Sequence, residues 1–167
     1  MHLTLTQTTI NQQTYWLGTT PTGLAFVGRA NGPRDEWQAF FKSANIHYDQ
    51  QANQQACQEL HDYLTGQRQH FDIPLDQTTG TPLQHQVWQA LTRIPYGQTA
   101  TYSQLATMIN HPTAVRAVAS AVGQNPLLIV IPCHRIRRKD GQLGGYRGGS
   151  LLYTSPSPRD PKTSRMP

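Results

Sequence analysis

The chain has 167 residues, an apolar fraction of 37% and 14 basic against 9 acidic side chains, which gives a formal net charge of +5. This length suits one domain or two small lobes that share a core. Two cysteines, Cys57 and Cys133, are too few for a disulfide framework or a four-thiolate zinc site. The histidines fit no metal-ligand spacing, and neither a signal peptide nor a membrane-spanning run is recognisable. We therefore expect a cytoplasmic protein that binds no metal and contacts no membrane.

The charge is divided unevenly along the chain. Residues 1–80 carry four basic against seven acidic side chains, a net charge of −3, whereas residues 81–150 carry seven basic side chains against Asp140 alone, a net charge of +6. A basic half is the footprint expected for a partner with a phosphate backbone. A basic surface that contacts only solvent would produce the same asymmetry.

The first 65 residues predict a small sheet with two helices. Segments rich in β-prone residues, separated by turn signals, predict strands at residues 3–10, 15–17 and 24–27. Aromatic residues on one face predict a helix over residues 35–43, and apolar residues spaced at four predict another over residues 51–64. Cys57 falls beside this second apolar stripe and is interpreted as core packing or as an unreactive, half-buried thiol.

Three helices that begin at threonine caps are predicted after residue 80. Residues 71–81 lack periodicity and contain Pro74 and Gly80, which predicts a linker. A threonine side chain can accept a bond from the first turn of a helix. Thr81, Thr101 and Thr113 should therefore cap helices over residues 82 to about 93, 102–109 and 114 to about 123. The last two, joined by a tight break, are typical of a helix-turn-helix.

The third of these helices is thin, because alanines occupy most of its positions and Arg116 is its one long cation. A thin helix can approach a narrow groove closely. The alanines have a simpler explanation in helix propensity and tight helix packing.

Cys133 lies in the string Ile131-Pro132-Cys133-His134-Arg135-Ile136, directly after an apolar run over residues 127–131. The run predicts a buried strand that Pro132 terminates, with the cysteine held at its end. Positive neighbours favour the thiolate over the thiol, and the thiolate is the nucleophile. A buried structural cysteine is the plainer alternative.

Around this cysteine an ordered set of motifs resembles the O6-alkylguanine-DNA alkyltransferases, also called methylated-DNA–protein-cysteine methyltransferases. The resemblance covers residues 81–149 and rests on Thr81-Pro82-Leu83-Gln84, Val87-Trp88, Ile94-Pro95-Tyr96-Gly97, Thr101-Tyr102-Ser103-Gln104-Leu105-Ala106, Arg116-Ala117-Val118, Asn125-Pro126, Pro132-Cys133-His134-Arg135 and Gly144-Gly145-Tyr146. Residues 1–75 agree only in length and general pattern.

The resemblance implies a fold of class α+β with two domains. Residues 1–75 would form a small, ribonuclease H-like sheet with helices. Residues 76–150 would form a mostly helical, winged-helix-like domain that carries the helix-turn-helix.

The implied function is DNA repair. The Cys133 thiolate would take the alkyl group from O6-alkylguanine, and from O4-alkylthymine, in a single irreversible turnover that needs no cofactor. The partner would be double-stranded DNA with alkylated bases, bound through its minor groove by a monomer.

The resemblance also implies roles for individual residues. His134 would remove the thiol proton through a water, and Tyr102 would donate to the departing base and press on a phosphate. Arg116 would fill the gap left by the flipped nucleotide, with Ala117 and Thr113 beside it in the groove. Arg135 is interpreted as structural. The pocket for the base would include Asn125, Ile136, Tyr146 and Arg147.

The resemblance ends at residue 150. The family continues into a helix with a glutamate that completes the relay to the histidine, whereas Pro156, Pro158 and Pro161 forbid a helix here. Residues 151–167 resemble a translated sequencing adapter, so we expect a non-native tail. Two other functions remain open: a lesion-binding protein without activity, and a Cys-His hydrolase, which lacks an evident orienting residue.

Overall fold

A computed structural model describes residues 1–138 of the chain. The chain divides into two compact units, residues 1–79 and residues 80 onwards. The predicted pocket residues Tyr146 and Arg147 and the predicted tail over residues 151–167 lie outside the described residues.

The first unit contains a mixed four-stranded sheet in the order β3-β2-β1-β4. Strands β1 (His2–Ile10), β2 (Gln13–Thr19) and β3 (Leu24–Val27) are antiparallel neighbours and confirm the three predicted strands. Strand β4 (Asn45–Tyr48) pairs in parallel with β1 and was not predicted. It is a four-residue edge strand with three exposed residues, so it lacks the apolar alternation that identifies a strand in sequence.

One face of this sheet packs against aromatic residues from the segment between β3 and β4. Leu3, Leu5 and Phe26 form a buried cluster with Phe41, and Trp37 and Phe40 pack against it. The helix predicted over residues 35–43 is wrong, because only a single 3-10 turn forms, at Glu36–Ala39. Since aromatic residues throughout the segment contact the sheet, packing rather than a helical repeat determines its path.

The other face of the sheet carries helix α1 (Gln54–Leu64), which confirms the predicted helix with a later start. Thr4 and Thr6 alternate with Leu3 and Leu5 along β1 and therefore point to this second face. The Asn53 side chain, at the N-cap of α1, donates to the Thr4 carbonyl and to the Thr6 hydroxyl, at 3.0 Å each. These bonds fix the start of α1 over the sheet.

The segment predicted as a linker is fastened to the first unit. The Leu24 amide donates to the Pro74 carbonyl and the Asp76 amide donates to the Leu24 carbonyl, both at 2.8 Å. Burial would raise the pKa of the Asp76 carboxyl, but hydrogen bonds from Thr20 and Thr78 outweigh it and hold the pKa below its usual value. Backbone pairing rather than periodicity orders this segment, and the boundary between the two units, at Thr79 and Gly80, falls within the predicted linker.

The second unit contains the three predicted helices: α2 (Pro82–Leu91), α3 (Tyr102–Met108) and α4 (Val115–Gly123). Thr81 caps α2 and Thr101 caps α3, each in a reciprocal capping box with the glutamine three residues later. The predicted cap at Thr113 is wrong, because Ala114 occupies the N-cap position of α4. The Ala114 amide bonds to the His111 carbonyl, so Thr113 lies inside a turn that precedes the helix.

Helices α2 and α4 form the core of the second unit. Val87, Leu91, Val118 and Val122 are fully buried, and the Trp88 indole N–H donates to the Ala121 carbonyl of α4 at 2.9 Å. This bond satisfies a carbonyl in the last turn of α4. Across residues 1–138, no helix has the length and apolarity needed to cross a membrane.

Candidate active site

The apolar run before Cys133 is a buried turn. Residues 127–131 do not form the predicted strand, because the loop bonds to itself: the Ile131 amide donates to the Leu127 carbonyl at 3.0 Å. Ile129 adopts a left-handed φ of 72°, which for a β-branched residue costs on the order of 1–3 kcal/mol. Continuous burial explains the error, since a short apolar run cannot distinguish a strand from another buried segment.

Asn125 organises this turn from the end of α4. Its side chain is fully buried, and its amide nitrogen donates to the carbonyls of Leu127 and Ile131 at 3.2 and 3.0 Å. Its side-chain oxygen accepts from the Leu127 amide at 2.9 Å. The structure therefore uses the Asn125 amide to shape the turn that leads to Cys133.

Cys133 opens a single 3-10 turn over Cys133–Arg135, with Pro132 at the N-cap position. Its amide donates to the Ile131 carbonyl at 2.7 Å, and the thiol is free of any disulfide. Cys133 and His134 are consecutive in sequence and each is 1% exposed, so both candidate catalytic residues lie inside the unit. A substrate atom must enter the unit to reach the sulfur.

The segment after the cysteine pairs with the start of α3. Strand β5 (Ala100–Thr101) and strand β6 (Ile136–Arg137) are parallel, with Ala100 opposite Ile136 and Thr101 opposite Arg137. Tyr102 follows β5 directly, and β6 directly follows the 3-10 turn that carries Cys133. The pairing of β5 with β6 therefore joins these two parts of the chain. Tyr102 is half-buried, whereas Ile136 is 1% exposed.

Arg135 is buried at 7% exposure and adds a second connection. Its guanidinium donates from Nη1 to the Ile94 carbonyl at 2.7 Å and lies over the Tyr96 ring, 5.6 Å from the ring centroid. The Arg137 guanidinium also donates to the Thr99 hydroxyl at 3.1 Å. Sequence reasoning missed these cross-connections, because nothing local to the cysteine motif indicates which distant carbonyl an arginine will reach.

The candidate DNA-contacting residues lie on the surface of the second unit. Thr113, Arg116 and Ala117 are exposed, while Val118 is fully buried on the opposite side of α4. Within residues 1–138, Arg116 forms neither a hydrogen bond nor an ion pair, so its guanidinium is available to a partner. The sequence between residues 80 and 138 contains five arginines and no aspartate or glutamate.

Within residues 1–138, neither Cys57 nor a cluster of metal-binding side chains provides a competing site. Cys57 lies half-buried in α1, and desolvation raises its thiol pKa despite an opposing hydrogen bond with Thr8. It is therefore a poor thiolate at neutral pH. In the part of the chain that the structure describes, no three His, Cys, Asp or Glu side chains are grouped as metal ligands.

Comparison with known proteins connects this geometry to a family. The inducible methylated-DNA–protein-cysteine methyltransferase of Bacillus subtilis (strain 168) is 44% identical over 144 residues, which cover 84% of this chain and 80% of the relative. The chain belongs to the methylated-DNA–protein-cysteine methyltransferase family. The model of the 6-O-methylguanine DNA methyltransferase DNA-binding domain matches residues 82–153, which include all three helices of the second unit and Cys133.

Two further members support the assignment to this methyltransferase family. The constitutive methyltransferase of Bacillus subtilis (strain 168) is 48% identical over 94 residues, which cover 56% of each chain. A crystal structure of the Mycobacterium tuberculosis OGT in complex with DNA superposes with a TM-score of 0.72 at 33% identity, covering 89% of this chain and 85% of that one. The small mixed sheet with helices is thus the architecture of a solved member of the family.

Proposed function

We propose that this protein repairs DNA by moving the alkyl group of O6-alkylguanine, and of O4-alkylthymine, to Cys133. The observation that carries the proposal is the position of Cys133 beside His134, in a buried and tightly bonded turn within the segment that matches the family. A thiolate is a strong nucleophile. Cys57 is not proposed as a nucleophile, because its raised pKa keeps its thiol protonated.

The reaction is an in-line displacement. His134 removes the thiol proton through a water, and the sulfur attacks the alkyl carbon. A sulfur–carbon bond forms while the carbon–O6 bond breaks, and its electron pair returns to the base. Tyr102 gives its proton to the departing base, which leaves as neutral, unmodified guanine, and the proton taken up by His134 restores the tyrosine hydroxyl through solvent. Because the product is a thioether, each protein molecule acts once and needs no cofactor.

Burial of the thiol supports base flipping. Cys133 is 1% exposed, so a base stacked in a duplex cannot bring its alkyl carbon to the sulfur. Enzymes that act on a base inside a duplex rotate it out of the stack and into a pocket. In this proposal the backbone at Cys133 and Ile136, together with Tyr146 and Arg147, receives the rotated base, and Asn125 shapes the pocket through the turn it organises.

The DNA contacts are assigned to α3 and α4 acting as a helix-turn-helix in a winged-helix-like unit. Arg116 is exposed and available to a partner, and the small side chain of exposed Ala117 beside it suits a close approach to the minor groove. Ala117 and Thr113 flank Arg116 on this surface. The absence of acidic residues from the sequence between residues 80 and 138 supports a polyanionic partner. We also assign the first unit to the ribonuclease H-like class, and expect the protein to act as a monomer.

Transfer of a labelled alkyl group tests the proposal. The full chain is incubated with duplex DNA that carries one O6-alkylguanine labelled in the alkyl group, and the modified peptide is identified by mass spectrometry. We expect one label per molecule on Cys133. Cys133→Ser should abolish labelling with DNA affinity within about twofold of wild type, because a hydroxyl ionises far less than a thiol.

Cys57→Ser is the matched control, since it removes the other thiol. Its labelling rate should equal that of the wild type. Label on Cys57 would overturn the assignment of the nucleophile. DNA binding without any label would identify a lesion-binding protein instead, and the absence of both would refute the DNA-repair proposal.

A further inference from the structure

The cysteine turn is attached to the connection between α2 and α3 by a buried arginine. The Arg135 guanidinium donates to the carbonyl of Ile94 at 2.7 Å and lies over the Tyr96 ring. Arg135 is 7% exposed and Ile94 is 4% exposed, so solvent cannot replace this bond easily. The contact joins residues that are 41 positions apart in sequence.

We infer that Arg135 is a positioning residue for alkyl transfer, which fixes the Cys133–His134 turn relative to Tyr102. The inference rests on the proposed function and adds a residue to its site. Arg135 itself contacts no reacting atom in this proposal. It acts through the turn that it ends, because Cys133 lies two residues before it in the same 3-10 turn.

The geometry explains why this position needs an arginine. A guanidinium is planar, so it can donate in its own plane while its face stacks on an aromatic ring. Arg135 uses its plane and its charge: Nη1 donates to the Ile94 carbonyl, and the guanidinium carbon lies over the Tyr96 ring, 5.6 Å from the centroid. A lysine ammonium keeps the charge but lacks the planar fork.

The Ile94 carbonyl has a defined place in the unit. The Ile94 amide bonds to the Leu91 carbonyl at 3.1 Å, so this residue follows the last turn of α2. From there the chain runs through Tyr96 to β5, and Tyr102 begins α3 immediately afterwards. Arg135 therefore connects the turn that carries Cys133 to Ile94. The chain runs from Ile94 to Tyr102, the residue assigned to the departing base.

This arrangement separates catalysis from DNA binding. The Arg135 side chain bonds to Ile94 and lies over Tyr96, in the connection between α2 and α3, whereas Arg116 is exposed on α4. Loss of the guanidinium should allow the cysteine turn to shift while the DNA surface keeps its shape. A misplacement of about 1 Å between reacting groups can cost on the order of 100-fold in rate. The expected effect is thus a slower chemical step at unchanged affinity.

The experiment compares Arg135→Lys with wild type in the full chain. Three quantities are measured well below both melting temperatures: the Kd for duplex DNA carrying O6-alkylguanine, the single-turnover rate at saturating DNA, and the Tm. We expect the rate to fall by about 10- to 100-fold and Kd to stay within about twofold. A merely stabilising residue would lower Tm and leave the rate of the folded fraction unchanged.

Tyr96 provides a second, independent variant. Tyr96→Leu removes the ring beneath the guanidinium, whereas Tyr96→Phe keeps it and serves as the matched control. We expect Tyr96→Leu to slow transfer by about threefold to tenfold, in proportion to a cation–π contact of about 1 kcal/mol. Tyr96→Phe should transfer at the wild-type rate. If Arg135→Lys does not fold, the Tyr96 pair decides the question.

The outcomes distinguish this inference from the proposed function. If wild type transfers the label to Cys133 and both Arg135→Lys and Tyr96→Leu match its rate, the positioning role is refuted and the repair function stands. A parallel loss of rate and affinity also refutes the role, because Arg135 would then support the whole unit. If wild type itself transfers no label, the proposed function fails before the variants are compared.

Discussion

The two units of the molecule fasten their turns with different chemistry. In the first unit, carboxylates accept several of these bonds: Glu59 accepts from the amides of Asp72 and Ile73, and Asp76 accepts from Thr20 and Thr78. In the second unit, neutral amides have the same task. Gln84 and Gln104 complete the capping boxes of α2 and α3, and Asn125 organises the turn over residues 127–131 that leads to Cys133.

At the two capping boxes, glutamate would serve as well as Gln84 and Gln104 if structure were the only requirement, whereas Asn125 must be an amide because its side chain donates to the Leu127 and Ile131 carbonyls. Glutamate suits the third position of a capping box as well as glutamine does, and a negative charge there is favourable to the helix dipole. Its absence from residues 80–138 therefore indicates a demand outside folding. Repulsion between a carboxylate and a phosphate backbone is such a demand.

The largest effect should come from removing a carboxylate in the first unit. Glu59→Ala should lower the free energy of unfolding by about 3–6 kcal/mol, because two amide bonds to a charged acceptor are lost and each contributes about 1.5–3 kcal/mol. Urea unfolding of the full chain measures this change. Glu59→Gln retains an acceptor oxygen and should cost less than half as much. Equal costs for the two variants would show that charge, rather than acceptance, matters at this position.

Arg116→Ala should slow transfer from duplex DNA by about tenfold. It should slow transfer from short single strands by less than about fivefold, since only a duplex has a gap in its base stack that the arginine must fill. Single-turnover rates on the two substrates at subsaturating DNA measure the difference. Arg93→Ala is the matched control, because Arg93 is another exposed arginine of the second unit. An equal loss on both substrates would assign Arg116 to phosphate contact alone.

A smaller effect should follow from adding one carboxylate to the second unit. Gln104→Glu should leave the Tm unchanged or slightly higher, because glutamate preserves the capping box of α3. DNA affinity should fall by about threefold at 0.1 M salt, and the loss should shrink as salt rises. Gln84→Glu makes the same change at the cap of α2. If it reduces affinity as much as Gln104→Glu does, DNA lies no closer to α3 than to α2.

The smallest effect concerns the pH dependence of the first unit. The pKa of the Asp76 carboxyl is below its usual value in the folded chain. Its charged form therefore adds stability above the unfolded pKa of about 3.9, and this contribution is lost as pH falls through the folded value. Wild type should lose more stability than Asp76→Asn between about pH 5 and pH 3, measured by urea unfolding. Parallel curves would contradict the role of Asp76.

The sequence predicted those elements whose signals are local. Thr81 and Thr101 indicated where α2 and α3 begin, because a capping box lies within four consecutive residues. The three strands of the hairpins were visible for the same reason, since each is bounded by turn residues. Cys133 and His134 are neighbours in sequence, and the structure buries both in one turn, while their catalytic roles stay predictions.

Elements that depend on distant partners were missed or misassigned. Strand β4 forms only because β1 offers it a parallel partner more than 40 residues away. The run over residues 127–131 became a turn because the Asn125 side chain, rather than a neighbouring strand, satisfies its backbone. The same limit applies to Arg135, whose bond to Ile94 crosses 41 positions. Tertiary contacts of this kind override the apolar pattern on which a strand assignment depends.

The parallel pairing of β5 with β6 contains only two residue pairs, Ala100 with Ile136 and Thr101 with Arg137. A slip of one residue would move β6 by about 3.3 Å and turn each of its side chains to the opposite face. So short a ladder has little resistance to slipping, and the contacts on either side of it must select the alignment. Two such contacts are the bond from Arg137 to Thr99 and the bond from Arg135 to Ile94. A shift of one residue in this register would therefore displace Cys133 relative to its substrate.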